Sequence, residues 1–226
     1  MAFMGMLARF YPILDADLLA RRKISIADCA KAMCDAGVML LQYRDKQAMP
    51  QEILRNAEII KTIFEGTGCV LILDDRADVA AIAGWDGVHV GQQDLSPDAA
   101  RLVMGPDAII GLSTHNGTQV LEGDAAMERI GGSGYLAIGP VFATGSKENP
   151  DPVVGLEGVR RARTILNQSQ TPMRLPLVAI GGITLESAAD VVAAGADAIA
   201  VISGAIGRDA TETAARCREW MTALKA

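Results

Sequence analysis

The chain has 226 residues, half of them hydrophobic, which suffices to bury a large core in one domain of the size common for α/β barrels. Its 21 basic and 27 acidic residues give a net charge of −6 without a block of like charge, which argues against a nucleic-acid-binding surface. No apolar run approaches the ~18 residues of a membrane-spanning helix, and the apolar stretch 1–7 is too short for a signal peptide. The four cysteines lack metal-binding spacing and indicate reduced thiols in a cytoplasmic protein.

Eight short, continuous apolar runs are typical of strands buried on both faces. They are Tyr11–Leu14, Met39–Tyr43, Val70–Leu73, Gly87–Val90, Ile109–Leu112, Tyr135–Ile138, Leu177–Ile180 and Ala198–Ile202. Amphipathic stretches between them predict helices at Ile26–Ala36, Pro50–Phe64, Pro97–Met104, Leu185–Ala194 and 210–224. Ser25, Ser96 and Thr184 are placed to cap three of these helices.

This alternation predicts the α/β class and, within it, a (β/α)₈ TIM barrel that forms a single domain over residues 1–226. A doubly wound open sheet is the alternative, but it usually has fewer strands and a GxGxxG turn after the first one. No such turn follows Tyr11–Leu14. A barrel places the carboxyl ends of its strands on one face, so the polar fragments that end these runs are expected to meet in one cleft.

The second predicted strand ends in Gln42–Lys46. Alternate residues of an extended segment point to one side, which groups Gln42, Arg44 and Lys46. Two cations and an amide form a clamp for an anion, and arginine can bind a phosphate through two hydrogen bonds. A solvated strand end is the simpler alternative for this fragment.

Acidic residues end the third and fourth predicted strands. Asp75 and Asp94 would lie on neighbouring strands, and Mg²⁺ prefers one or two carboxylates together with substrate phosphates and water. Alternatively, Asp74 or Asp75 caps the helix that begins near Arg76.

Glycine-rich turns end the last two predicted strands, where barrels often bind a phosphate. Gly182 lets the backbone approach an anion, and Ser203–Gly207 has the length of a short extra helix. After the sixth strand, the segment 143–147 combines hydroxyl groups, a glycine and a lysine, which indicates a flexible loop that closes over an anion. Tight turns and a polar loop without a ligand are the alternatives.

Ser113 and His115 end the fifth predicted strand. A hydrolase would need a GxSxG turn and a third partner, and neither is evident, so a polar contact from Ser113 to a substrate is favoured. His89 lies within the fourth strand and is expected to pack or to form hydrogen bonds inside the structure.

Seven fragments, taken in order over about residues 10–207, resemble the thiamine-phosphate synthase family. They are QYRDK from Gln42, LDDRADVA from Leu73, DGVHVGQQD from Asp86, GLSTHN from Gly111, GPVFATGSK from Gly139, AIGGI from Ala179 and AVISGAI from Ala200. The resemblance implies a (β/α)₈ barrel that joins hydroxymethylpyrimidine diphosphate to a thiazole phosphate with Mg²⁺ and releases diphosphate. It is compatible with a homo-oligomer and implies neither a nucleic-acid nor a membrane partner.

The resemblance also implies roles for individual residues. The pyrimidine diphosphate would be bound by Gln42, Tyr43, Arg44, Asp45, Lys46, Asp74, Ser113 and Lys147. Of these, Arg44, Lys46, Lys147 and Ser113 would act in catalysis. The thiazole phosphate would contact Thr144, Gly145, Ser146, Gly182, Ile202 and Ser203. Asp75 and Asp94 would hold the metal.

Three residues depart from the family pattern. Asp74 stands where an asparagine is usual, which places a carboxylate beside a diphosphate and puts its contact there in doubt. Ser146 replaces a threonine and keeps the hydroxyl, and Ala143 replaces a proline.

Two other functions are compatible with the barrel. A thiazole tautomerase resembling this family would need no diphosphate site, and the set of cations and carboxylates argues against it. A non-catalytic barrel would keep the phosphate cradle and bind its ligand without turnover.

Overall fold

The computed structural model describes residues 7–145, 151–169 and 174–224, and strands and helices alternate along these ranges. In chain order they are β1 (Phe10–Asp15), α1 (Ala16–Arg22), α2 (Ile26–Ala36), β2 (Leu40–Arg44), α3 (Pro50–Ile63), β3 (Val70–Asp74), α4 (Ala77–Ala83), β4 (Gly87–Val90), α5 (Pro97–Met104), β5 (Ile109–Thr114), α6 (Gly117–Ile130), β6 (Gly134–Ile138), α7 (Gly155–Gln168), β7 (Leu177–Ile180), α8 (Leu185–Ala193), β8 (Ala198–Val201) and α9 (Ala210–Ala223). The eight predicted strands are confirmed, each to within one or two residues at its ends. In the described parts of the chain, no helix combines the length and the apolarity that crossing a bilayer requires.

The strands close into a barrel in their sequence order, with every neighbouring pair parallel. Closure is made by β8 and β1, where Phe10 lies opposite Ile199 and Pro12 opposite Val201. The prediction of a (β/α)₈ barrel is therefore confirmed, and the open-sheet alternative is wrong. Since all strands run in one direction, their carboxyl ends share one rim.

Side chains of the strands alternate between two apolar cores. The inner core, inside the barrel, consists of Tyr11, Ile13, Leu40, Val70, Ile72, Ile109, Tyr135, Ala137, Val178, Ala198 and Ala200. The outer core lies between strands and helices and includes Leu14, Leu41 and Leu73. Each fully buried leucine contributes about 1.5–3 kcal/mol relative to an exposed one. The same alternation places Gln42 at the barrel interior and its neighbour Tyr43 in the outer core.

Two predicted helix caps are present. Ser25 Oγ accepts a hydrogen bond from Asp28 N at 3.0 Å, and Ser96 Oγ accepts one from Ala99 N at 3.2 Å. These bonds satisfy backbone donors that the first turn of a helix leaves without a partner. The local sequence thus fixes where α2 and α5 begin.

Helices α1, α6 and α7 have no counterpart among the helices predicted from the sequence. Gly117 and Gly123 weaken the helical signal of α6, since glycine disfavours helix interiors. Gly123 is nevertheless suited to its position, because a Cβ atom there would lie 3.0 Å from Leu136 on β6. In α7, the buried position 163 is an arginine, Arg163, whose guanidinium donates to Gly195 O at 2.8 Å and pairs with Asp197. This charge on the inner face obscures the apolar periodicity of α7.

The short extra helix predicted at Ser203–Gly207 is wrong. The chain makes a single turn there, in which Ala205 N donates to Ile202 O at 3.2 Å. Gly207 N instead donates to the Thr213 hydroxyl at 2.9 Å. The backbone is therefore drawn directly into α9 before another helical turn can form.

Candidate functional site

A cavity of about 1440 Å³ opens at the rim where the strands end. Most of the residues that the sequence singled out line it, namely Gln42, Arg44, Lys46, Asp74, Asp75, Asp94, Ser113, Thr144, Gly145, Gly182, Ile202 and Ser203. They come from segments that end or follow β2 to β8, far apart in sequence. The volume exceeds the roughly 300–1,000 Å³ of an ordinary ligand site, which leaves room for two small molecules.

Two of the residues named from the sequence, Tyr43 and Asp45, are placed outside the cavity wall. Tyr43 is fully buried in the outer core, where its hydroxyl donates to Asp45 Oδ2 at 2.9 Å. Asp45 Oδ1 accepts from Ala48 N at 2.9 Å, so this carboxylate holds the turn that leads into α3. Neither side chain lines the cavity, because both occupy the alternate positions of the extended segment. Ser146 and Lys147 lie outside the described residues.

A chain of alternating charges runs along the rim at the ends of β1, β2 and β3. Asp15 pairs with Arg44, whose Nε lies 3.6 Å from Asp74 Oδ2. Lys46 Nζ lies 3.0 Å from the same Asp74 oxygen and also pairs with Asp75. The cations predicted to clamp an anion are thus held by carboxylates of this protein.

Asp74 is one of two deeply buried acids of this charge chain, together with Asp15. Its side chain is 8% exposed, and Oδ2 has ion pairs but no aligned hydrogen bond. Burial raises the pKa of Asp74 in spite of the opposing charges of Lys46 and Arg44. Arg44 is also shielded, at 14% exposure of its side chain, so the Arg44–Asp74 attraction is weakly screened.

Neither Asp74 nor Asp75 caps the next helix. Helix α4 begins after Arg76 without a side-chain cap, which makes the capping alternative wrong. Asp75 instead adopts a left-handed backbone conformation with φ of 60°, which few residues other than glycine and asparagine or aspartate tolerate. Its amide donates to His89 O at 2.7 Å, which ties the end of β3 to β4. Asp75 thus has both a strained backbone and a carboxylate that faces the cavity.

Asp75 and Asp94 form an acidic pair across β3 and β4. Asp94 Oδ2 accepts from Gly91 N at 2.8 Å, which folds the segment after β4 back toward the rim. Partial burial raises the pKa of Asp94, and the nearby Asp75 carboxylate raises it further against that hydrogen bond. The described residues contain no group of three or more histidine, cysteine or acidic side chains that could hold a metal ion. Two facing carboxylates fit Mg²⁺ only where other ligands come from a substrate and water.

A second polar chain crosses the barrel interior beneath the charges. Gln42 Nε2 donates to Tyr11 Oη at 3.0 Å, and Tyr11 Oη lies 2.9 Å from Tyr135 Oη. Tyr135 Oη lies 2.9 Å from His89 Nδ1, and His89 Nε2 lies 2.8 Å from Ser113 Oγ. His89 is therefore bonded inside the structure, as the sequence predicts, while it also lines the cavity.

The opposite side of the cavity is formed by the turns after β6, β7 and β8. Gly182 has φ of 65°, and a Cβ atom there would lie 2.5 Å from Ala143 O. The segment after β6 is held to the end of β7 by Phe142 N, which donates to Gly181 O at 2.9 Å. Glycine at 182 is thus required by the approach of a neighbouring backbone, and both Gly182 and Ser203 line the cavity.

Sequence reasoning missed several residues of the cavity wall. Asp15 follows the first apolar run directly, as the other site residues follow theirs, and this position was the available signal. His115 Nδ1 donates to Gly139 O at 2.7 Å, and its Nε2 lies 3.4 Å from Asp151. No local sequence signal predicts these two contacts, because each joins distant parts of the chain.

Comparisons with known proteins identify a family model and several relatives that match most of the chain. Residues 10–205 match the family model described as thiamine monophosphate synthase. The chain is 48% identical over 199 residues to the thiamine-phosphate synthase of Koribacter versatilis, covering 87% of this chain and 88% of that protein. It is 39% identical over 202 residues to the thiamine-phosphate synthase of Methanoregula boonei, with 89% and 88% covered. Among solved structures, the thiamine phosphate pyrophosphorylase of Pyrococcus furiosus superposes with a TM-score of 0.75 at 29% identity, covering 97% of this chain and 98% of the other.

Proposed function

Because the chain belongs to the thiamine monophosphate synthase family, we propose that its rim cavity is where a pyrimidine diphosphate is joined to a thiazole phosphate. The chain is a transferase of thiamine biosynthesis that acts on small molecules. The observation that carries the assignment to this cavity is the cluster of two cations and an acidic pair, Arg44, Lys46, Asp75 and Asp94, at the ends of adjacent strands.

The diphosphate end of the first substrate binds Arg44 and Lys46. Both cations are already held in place by Asp15, Asp74 and Asp75, so the substrate meets a preformed clamp. Phosphate oxygens then take over hydrogen bonds from these carboxylates. As the bond between the pyrimidylmethyl carbon and oxygen breaks, its electron pair leaves with the diphosphate, and the clamp stabilises the added charge.

Asp75 and Asp94 are the residues that would hold Mg²⁺. The ion would supply additional positive charge to the leaving diphosphate. The mutual repulsion of the two carboxylates, which contributes to the raised pKa of Asp94, favours a cation between them. Lys147 is proposed as a further diphosphate contact from its position in the sequence.

The pyrimidine ring occupies the floor of the cavity beside Ser113 and Gln42. The electron-rich aminopyrimidine stabilises the carbocation that diphosphate departure leaves. The lone pair of the thiazole nitrogen then forms the new carbon–nitrogen bond, so no covalent protein nucleophile is required. The role of the protein is to hold the two rings in line while the charge separates.

The thiazole phosphate binds at the opposite wall, at the turns after β6, β7 and β8. Thr144 offers a hydroxyl, and the turns at Gly182 and Ser203 face the cavity. We propose that this wall anchors the thiazole, together with Gly145, Ser146 and Ile202. When both substrates are held in place, their reaction no longer depends on an encounter between two free molecules, and it is therefore faster.

The reduced state of the four cysteines supports a cytoplasmic location. All four are free thiols in the described structure. Burial raises the pKa of Cys29 and of Cys217 to about 12, which keeps these two protonated and unreactive.

The test incubates the purified protein with both substrates, with and without Mg²⁺, and measures diphosphate and thiamine phosphate. Metal-dependent formation of both products in equal amounts is expected. Metal-independent proton exchange on the thiazole alone would favour a tautomerase. Binding of thiamine phosphate without turnover would favour a non-catalytic barrel.

A further inference from the structure

The polar chain inside the barrel has a direction that its hydrogen bonds determine. The amide nitrogen of Gln42 has hydrogens but no lone pair to offer, so Tyr11 Oη accepts from it. Burial raises the pKa of Tyr11 and that of Tyr135, so both phenols keep their hydrogens at neutral pH. Each phenol therefore has a hydrogen to donate, and Tyr11 also accepts one from Gln42.

The hydrogen of Tyr11 has one acceptor. Tyr11 is 1% exposed, and its hydrogen-bond partners within the described residues are Gln42 Nε2 and Tyr135 Oη. A buried hydroxyl hydrogen without an acceptor is costly, so Tyr11 donates to Tyr135. The Gln42 side chain is a donor to Tyr135 as well, so the Tyr135 hydrogen is directed to His89 Nδ1, 2.9 Å away.

This direction fixes the protonation of the imidazole. A His89 Nδ1 that accepts a hydrogen bond carries no hydrogen, so the neutral ring holds its hydrogen on Nε2. That Nε2–H donates to Ser113 Oγ at 2.8 Å. The hydroxyl hydrogen of Ser113 is consequently free to point into the cavity that Ser113 lines.

The packing around the pair maintains this arrangement. The His89 and Tyr135 rings are stacked at 5.5 Å and 21°. Both residues flank Gly111 in the sheet, since His89 and Tyr135 lie opposite it on β4 and β6. A Cβ atom at 111 would lie 2.6 Å from His89 Nδ1 and would also collide with the Tyr135 ring. Glycine at 111 thus makes room for the hydrogen bond between the two rings.

We propose that Tyr135 is a positioning residue that holds His89 as its Nε2–H tautomer and thereby makes Ser113 a hydrogen-bond donor to the substrate. This inference rests on the proposed function, in which Ser113 faces the pyrimidine diphosphate. The substrate atom at Ser113 is then an acceptor, either a ring nitrogen or a phosphate oxygen, and a ligand that offers only a donor there is rejected.

The first measurement is the tautomer of His89 by nitrogen NMR on ligand-free protein labelled at histidine. The chain has two histidines, His89 and His115, so a His115→Asn variant assigns the two sets of signals. A protonated Nε2 and an unprotonated Nδ1 are expected for His89. A protonated Nδ1, in the other tautomer or in an imidazolium, would overturn the proposal.

Two phenol-to-phenyl variants then separate the role of Tyr135 from general packing. Tyr135→Phe removes the donor to His89 Nδ1 and is expected to populate both tautomers. The matched control Tyr11→Phe removes a phenol from the same buried chain but leaves the Tyr135–His89 bond intact. It should keep the Nε2–H tautomer, because the buried hydroxyl hydrogen of Tyr135 still needs an acceptor and His89 Nδ1 remains beside it. An unchanged tautomer in Tyr135→Phe would refute the positioning role, and the spectrum of the unmodified protein decides the direction even if this variant does not fold.

Steady-state kinetics test whether the tautomer of His89 affects the reaction of the pyrimidine diphosphate through Ser113. Tyr135→Phe should lower kcat/KM for the pyrimidine diphosphate by about 3- to 10-fold, the range for one neutral hydrogen bond. In a Ser113→Ala background the same change should have no further effect. Equal losses in both backgrounds would contradict the proposed path through Ser113. A protein that turns over neither substrate would refute the proposed function, while the tautomer measurement would still stand.

Discussion

At the scale of single residues, the acidic pair Asp75 and Asp94 determines whether the cavity can hold a divalent cation. We expect Asp75→Ala or Asp94→Ala to lower kcat by at least about a hundredfold, since charge stabilisation of the leaving group is lost. Asp98→Ala is the matched control, because Asp98 is an exposed acid that pairs with Arg129 away from the cavity. Steady-state rates across a Mg²⁺ titration, with circular dichroism to check folding, provide the measurement. Rates close to those of the unmodified protein in both variants would rule out the metal role.

Asp74 occupies the position where the related family usually has asparagine, and it competes with substrate for two cations. Its Oδ2 lies 3.0 Å from Lys46 Nζ and 3.6 Å from Arg44 Nε. At a pH where Asp74 is ionised, Asp74→Asn keeps the shape and removes the negative charge, so the variant should bind inorganic diphosphate about tenfold more tightly, a typical effect of one partly buried charge. Calorimetric titration with diphosphate in the absence of metal measures this affinity. Weaker binding by the variant would mean that Asp74 supports the clamp.

The pH dependence of stability provides an independent prediction for the same residue. The pKa of Asp74 is raised in the folded protein by burial, so folding favours its protonated form. The stability from this group is complete at pH below the unfolded pKa and is lost as the pH rises through the folded pKa. An asparagine side chain does not titrate, so the stability of Asp74→Asn relative to the unmodified protein should increase as the pH rises from about 4, the ordinary pKa of an aspartate. Urea unfolding of both proteins at a series of pH values from about 4 upward measures this difference, and a constant difference would exclude a raised pKa.

Which side chains reach the cavity could be predicted where the cause is local. Alternation in an extended segment places Gln42, Arg44 and Lys46 on the cavity side, whereas the intervening Tyr43 points into the outer core. The pairing of Arg44 with Asp15 could not be predicted in this way, because the two residues are joined only when β1 and β2 align in register. The same holds for the polar chain from Gln42 to Ser113, which needs five strand positions to meet inside the closed barrel.

At the scale of elements, the turn after β7 is shaped by its contact with the segment after β6. In Gly182→Ala a left-handed φ of 65° would combine with a Cβ 2.5 Å from Ala143 O, which is a backbone atom and cannot move aside easily. We expect a loss of roughly 2–3 kcal/mol in stability together with a raised KM for the thiazole phosphate. Gly66→Ala is the matched control, with φ of 75° and no atom within 4 Å of its Cβ.

The Gly66→Ala control separates the effect of the close contact at position 182 from the effect of a left-handed φ angle. Gly66→Ala should cost about 1 kcal/mol and leave both KM values unchanged. Thermal unfolding and steady-state kinetics on the two variants give the comparison. Equal destabilisation by both would show that the φ angle alone matters at 182.

The strands were more predictable than the helices for a physical reason. A strand covered on both faces must be apolar throughout, and such runs are read directly from the sequence. A helix needs only one apolar face, and tertiary contacts can place a glycine or a charge on it. Gly123 in α6 and Arg163 in α7 are such cases, because one allows close approach to β6 and the other pairs with Asp197. The turn at 203–207 likewise depends on Thr213 in α9, which lies outside the local segment.

At the scale of the whole molecule, barrel closure is what turns a series of short fragments into one site. Each βα unit contributes one or two polar residues, and none could hold a diphosphate and a metal alone. The seam between β8 and β1 places Ser203 and Asp15 on the same rim, although they are separated by most of the chain. Function is therefore coupled to closure of the entire sheet, and partial structures should be inactive.

Closure also predicts how the protein unfolds. Opening the β8–β1 seam would expose two strand edges, so no part of the barrel is expected to persist alone. The two tryptophans report on different regions, because Trp220 stacks on Phe10 at the seam, whereas the ring centroid of Trp85 lies 6.4 Å from that of Tyr43 on β2. In Trp85→Phe and Trp220→Phe, the remaining fluorescence should follow the same urea midpoint as far-ultraviolet circular dichroism of that variant. In either variant, a fluorescence midpoint that differs from the circular dichroism midpoint would indicate separate folding units. A barrel that unfolds as one body loses its tryptophan environments and its secondary structure together.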